Sequence, residues 1–131
     1  MNPDRTSPPD PTRAPDRTRT ISRVLFWLAL IGATALALMP YPPHLPTDRF
    51  GDKFNHVLAF AVLAALAVPA FPAMPRLRLI ERLSFLGAMI ELLQSLPWVH
   101  RDCDLRDWIA DTLAVIVATL VTAALVRRKA S

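Results

Sequence analysis

At 131 residues the chain has room for one domain and no large soluble appendage. Its net charge of +4 does not describe a nucleic-acid surface, because the basic residues flank apolar stretches instead of forming a groove or an interleaved aromatic patch. A single cysteine, Cys103, excludes an intrachain disulfide and a cysteine-rich metal site.

Residues 1–20 are rich in Pro, Arg, Asp and Thr. Such a stretch buries too little apolar surface to offset its ordering entropy, which predicts a disordered cytoplasmic tail. Four apolar stretches follow, and they predict an all-α membrane bundle (residues 21–131) with spans at about 22–40, 54–71, 79–96 and 108–126. The third is the least apolar, and its length also leaves room for a re-entrant or interfacial segment, the minor reading.

Charge decides between the two. Arg5, Arg13, Arg17, Arg19 and Arg23 precede the first span; Arg76, Arg78 and Arg82 lie between the second and third; Arg127, Arg128 and Lys129 follow the fourth. Four crossings put all three groups in the cytoplasm together with both termini, as the positive-inside rule expects, whereas three crossings strand the last group outside. Ala35-Leu36-Ala37 has the small-x-small form of a signal-peptide cleavage site, but the long amino-terminal tail with Asp4, Asp10 and Asp16 favours an uncleaved anchor. Tyr41, Trp98 and Trp108 fall near the expected outer interface and Trp27 near the inner one.

In antiparallel spans, the start of the second, the end of the third and the start of the fourth share one side. That side carries Asp52, Lys53, Asn55 and His56, then Glu91 and Gln94, then Arg101, Asp104, Asp107 and Asp111. Helical spacing groups them further. Asp52 and Lys53 each share a face with His56, Glu91 shares one with Gln94, and Asp104, Asp107 and Asp111 form one stripe that continues as Ala114 and Ala118. Asp52, Asp104 and Asp107 also stand where carboxylates cap helices. Glu91 and His56 lie too far inside to be caps, and ionisable groups within a bilayer are functional candidates. No metal set is read: His56, His100, Cys103 and a carboxylate have no ligand-pair spacing of known type. No cofactor-binding motif is present, and three glycines make no phosphate loop.

The segments DKFNHVLAFAVLA (52–64), ELLQ (91–94) and RDCDLRDWIADTLA (101–114) resemble the VanZ-like family, whose pattern is similar to D-K-x-x-H, then E-x-x-Q, then R-x-x-D-x-x-D before a helix. The resemblance covers about residues 20–126 and sets Asp52, Lys53, His56, Glu91, Gln94, Arg101, Asp104 and Asp107 at motif positions. His100, Asp111 and Ala114 depart from it, standing where that family often has Gly, Asn and Gly. The resemblance implies a multi-pass protein of the bacterial plasma (inner) membrane, in a family named for low-level teicoplanin resistance, and it supplies no reaction.

Several functions are compatible with these residues. One is an outward-facing charged pocket that binds an envelope component, such as a lipid-linked or other anionic headgroup, with Lys53 and Arg101 as cations. Another is an intramembrane enzyme with His56 or Glu91 as acid-base catalyst and Arg101 stabilising negative charge, although neither Ser84 nor Ser95 has a legible activating base. A proton-coupled transporter lacks a polar path through the inner halves, so it needs an oligomer. The last is a purely structural bundle.

Overall fold

The computed structural model describes residues 16–99 and 103–130, and among these it is all-helical with no strand. Four helices carry the fold: α1 (Asp16–Leu38), α2 (Asp52–Ala70), α3 (Arg76–Gln94) and α4 (Leu105–Ala130). A single turn of 3-10 helix at Asp48–Phe50 interrupts the loop before α2. Expectations that fall on residues 1–15 and on Arg101 lie outside the described residues.

The breaks follow from backbone chemistry. Pro40, Pro42, Pro43 and Pro46 forbid a continuous helix after Leu38, and Pro69, Pro72 and Pro75 delimit the α2–α3 turn. Gly51, with φ 92° and ψ 158°, occupies a backbone region open in practice only to glycine, and it starts α2 one residue before Asp52. α1 begins at Asp16, inside the stretch expected to be a tail.

Three helices are long and apolar enough to cross a membrane: Arg17–Leu38, Asp52–Ala70 and Leu105–Lys129. α3 falls below that standard because Arg76, Arg78, Glu81, Arg82, Glu91 and Gln94 dilute it. Its 19 residues nevertheless span roughly 28 Å at about 1.5 Å per residue.

Side-chain contacts fix the direction of each helix. Arg23 Nε donates to the Ala70 carbonyl at 2.9 Å, so α1 and α2 run antiparallel. Ser84 meets Thr112 and Glu91 meets Asp104, so α3 and α4 run antiparallel. Lys53 meets Asp107 and His56 meets Asp111, so α2 and α4 run parallel. α2 is the central element, packing against both α1 and α4. Its Phe60, Leu63, Ala64, Ala67 and Val68 repeat at helical spacing and are buried with Phe26, Leu79, Leu83, Ile90 and Val115.

Gly87 permits the close approach of α3: a β-carbon there meets Phe60 Cζ and Trp108 Cδ1, each at 3.4 Å. On the outside of the bundle large apolar side chains stay exposed, among them Leu28 and Ile31 on α1, Phe85 and Leu92 on α3, and Leu113 and Val117 on α4. Such a surface suits hydrocarbon rather than water.

The two ends of the bundle differ in charge. One carries Arg17, Arg19, Arg23, Arg76, Arg78, Arg82, Arg127, Arg128 and Lys129, and the other carries nearly every remaining ionisable group of the described residues.

Candidate functional site

The second end is built from the start of α2, the end of α3 and the start of α4, as the spacing of polar residues leads one to expect. Lys53 Nζ lies 2.7 Å from Asp107 Oδ1 and 4.0 Å from Asp104 Oδ2. Three residues along α2 and four along α4, His56 Nδ1 lies 3.7 Å from Asp111 Oδ2, too long for a hydrogen bond. The two pairs differ in depth: Lys53 is half-exposed, whereas His56 and Asp111 are 10% and 3% exposed at the side chain.

α3 supplies the third wall. Glu91 is buried, and its Oε2 accepts the backbone N–H of Asp104 at 3.0 Å. Asp104 has a structural task of its own, because its Oδ1 accepts the Arg106 N–H at 2.8 Å and so caps α4. Glu91 therefore grips the capping residue and fixes the start of α4 against the end of α3. One ligand-type atom each from His56, Glu91 and Asp111 lies within 4.8 Å of the other two. Asp111 Oδ1 is buried and has no hydrogen-bond partner among the described residues.

Gln94 does not join this cluster. Its Nε2 donates to the Ala37 carbonyl at 2.9 Å, tying the end of α3 to the last turn of α1. The expected small-residue stripe of α4 is also displaced. Its buried line runs Asp111, Val115, Thr119, while Ala114 and Ala118 flank it half-buried, because α2 meets α4 along the aspartate face.

Several contributors were not singled out from the sequence. Trp108, expected at the interface like Tyr41 and Trp98, turns its indole to α3 and donates to the Ser84 carbonyl at 3.0 Å and to Ser84 Oγ at 3.2 Å. Ser84 Oγ in turn lies 2.8 Å from Thr112 Oγ1. Ser95 Oγ donates to the Leu92 carbonyl at 2.6 Å. The Ser84 hydroxyl thus ties α3 to α4, and the Ser95 hydroxyl is spent on a carbonyl in the last turn of α3. The i, i+4 spacing of Trp108 and Thr112 is the one sequence signal that pointed at this network.

The loop before α2 forms a second polar group. Asp48 accepts the Leu45 N–H at 2.8 Å and the Asn55 Nδ2 at 2.9 Å, with His44 Nδ1 at 3.6 Å. The Leu45 N–H first, helped by Asn55 and His44, holds the Asp48 carboxyl below its ordinary range. Cys103 lies at the surface, yet desolvation and then the Glu91 carboxylate push its thiol above the ordinary range.

Beneath this loop a cleft of about 820 Å³ opens between α1, α2 and α3. Ala29, Ala33, Ala59, Leu63, Leu86 and Ile90 give it apolar walls, and Asp48, Asp52, Asn55 and His56 give it a polar end. Asp52 and His56, four apart on α2, both face it as their spacing requires. Lys53 does not line it. The cation expected to meet an anionic ligand is instead occupied by Asp107.

No family model, curated protein or solved structure matches the chain.

Proposed function

We propose that the chain is a VanZ-like integral membrane protein of the bacterial inner membrane. In this reading it crosses four times with both termini in the cytoplasm, and its outward-facing cleft binds a lipid-linked envelope component, which influences susceptibility to glycopeptides such as teicoplanin. The observation that carries the reading is the cleft itself: apolar walls of alanine, leucine and isoleucine close on Asp52, Asn55 and His56 at one end. An apolar slot with a polar end is complementary to an amphiphile, with the chain along α1 and α2 and the headgroup at His56. Gathering of basic residues at the opposite end supports an outward cleft. The fourth crossing is supported by the antiparallel course of α3 and by its exposed Phe85 and Leu92, which are better placed against lipid than water.

Filling the slot and removing its polar end test this separately. Ala33→Trp and Ala59→Trp occlude the apolar walls, and Asn55→Ala and His56→Ala remove headgroup contacts. Each set lowers crosslinking of a photoactivatable polyprenyl phosphate to the purified protein and shifts teicoplanin susceptibility in cells. Unchanged crosslinking and susceptibility in both sets, at normal membrane levels, sink the reading.

A second reading, an intramembrane acid-base enzyme, is favoured by one feature: an imidazole lies against a buried carboxylate with a second carboxylate beside it. It requires that Glu91→Gln abolish turnover of a lipid-phosphate or ester substrate while crosslinking persists. A purely structural bundle requires that Glu91→Gln change neither.

A further inference from the structure

The cluster of His56, Glu91 and Asp111, which the acid-base reading takes as a proton-transfer set, also has a geometry suited to holding a cation. α2, α3 and α4 each contribute one residue, so no local sequence spacing announces the set. The candidate ligand atoms lie within 4.8 Å of one another. Three atoms so placed share a centre no more than about 2.8 Å from each, and contact distances of about 2.0–2.2 Å to a transition-metal ion need each atom to move by well under ~1 Å.

Charge and hydrogen bonding agree. Two carboxylates are buried beside one imidazole, and Lys53, on the same face of α2, is taken by Asp107. Asp111 Oδ1 is buried with no hydrogen-bond partner among the described residues, and the 3.7 Å from His56 Nδ1 to Asp111 Oδ2 satisfies neither group. Orphaned buried carboxylate oxygens cost free energy unless a cation takes them up. A divalent cation cancels both negative charges while the imidazole stays neutral as a ligand. Glu91 is held for this task, since the Asp104 N–H fixes its Oε2 from outside the cluster.

The geometry points to a site for one divalent transition-metal ion, Zn²⁺ or Mn²⁺, held by His56, Glu91 and Asp111. One nitrogen and two carboxylates suit these ions better than Ca²⁺ or Mg²⁺, which prefer oxygen ligands in larger number or with several waters retained. Three protein ligands leave a coordination position for water or another oxygen ligand. His56 also lines the cleft, so the ion sits at the wall of the same space. It supplies the positive charge that Lys53 does not bring there.

The metal alone tests the site, independently of whether any lipid binds. Full-length protein purified in detergent and stripped with chelator takes up one Zn²⁺ or Mn²⁺ per chain, read by elemental analysis and calorimetric titration. Co²⁺ bound in its place gives a visible spectrum of nitrogen and oxygen ligation without a thiolate band. Glu91→Gln, His56→Ala and Asp111→Asn each weaken uptake at least about 10-fold, whereas Cys103→Ser and His44→Ala leave it unchanged. The spectrum belongs to the unaltered chain, so the result stands even where a variant fails to fold. Absence of stoichiometric uptake by the unaltered protein overturns the site. So does uptake undiminished in well-folded Glu91→Gln and Asp111→Asn, or a thiolate band that disappears in Cys103→Ser.

Discussion

Lys53 and Asp107 form the closest ion pair of the described residues, at 2.7 Å, and they join two helices that run in the same direction. Parallel neighbours cannot be linked by a short turn, so the α2–α4 register rests on side chains, and this pair is the outer of two fasteners along the seam. His56 and Asp111 are the inner one.

The two fasteners differ in cost because they differ in depth. Lys53→Met lowers stability only slightly, since its ammonium is half in solvent and the pair is screened there. His56→Leu costs roughly 3–5 kcal/mol by leaving the Asp111 carboxylate buried and alone, and His56→Leu with Asp111→Leu recovers most of the loss. Thermal unfolding of the four proteins in one detergent checks the order; equal losses for the two single variants contradict it.

At Gly87 α3 lies close to Phe60 of α2 and Trp108 of α4. Gly87→Leu drives a side chain into Phe60 and Trp108 and destabilises the bundle by about 1–3 kcal/mol. Gly87→Ala stays near neutral, because its methyl only reaches ordinary contact and helix propensity improves. A fluorescence shift of Trp108 for the leucine variant alone, read against Trp27 and Trp98 variants, locates the effect.

Gly51→Ala carries a backbone penalty of about 1–3 kcal/mol, as φ 92° with ψ 158° is open only to glycine, although no neighbouring atom blocks the new methyl. Asp52 follows directly, so the start of α2 shifts. Greater protease sensitivity of the 40–51 loop in this variant, without change at Phe71–Pro75, is the expected pattern.

Asp48 makes the loop before α2 acid-sensitive. Its carboxyl is depressed in the folded chain, so its contribution to loop order is complete above the unfolded aspartate value of about 3.9 and is lost as pH falls through the lower folded value. The Asn55 side-chain amide resonances follow this titration with a midpoint below that of a free aspartate, and Asp48→Asn abolishes it. A midpoint above that value contradicts the depression.

Cys103 reports sidedness. A membrane-impermeant maleimide labels it in intact cells under the proposed orientation, slowly at neutral pH and faster as pH rises, because the raised thiol is mostly protonated. Labelling only after permeabilisation reverses the orientation, and the outward cleft with it.

The helices, the basic end and the meeting of three helix ends were legible because hydropathy and helical periodicity are local properties of the chain. Asp52 and His56 sharing the cleft, and Asp107 and Asp111 facing α2, follow from the same arithmetic. What was not legible depends on contacts between helices with main-chain or unpatterned partners. Glu91 binds the backbone of Asp104, Gln94 binds the carbonyl of Ala37, and Ser84 meets both Trp108 and Thr112. Apart from the i, i+4 spacing of Trp108 and Thr112, none of these leaves a spacing to read. The proximity of His56, Glu91 and Asp111, one from each of three helices, was not legible for the same reason, while the residues themselves were all named.

The paired fasteners on α2 and α4 have a consequence for how the helices settle against one another. α3 stands between α2 and α4 in the chain, so no direct turn sets the height of α4 against α2. A slip of one helical turn separates Lys53 from Asp107 and His56 from Asp111 together, and it leaves charges facing hydrocarbon at a few kcal/mol each. A bundle one turn out of register is therefore penalised at both pairs at once, and the seam selects a single height for α4 against α2.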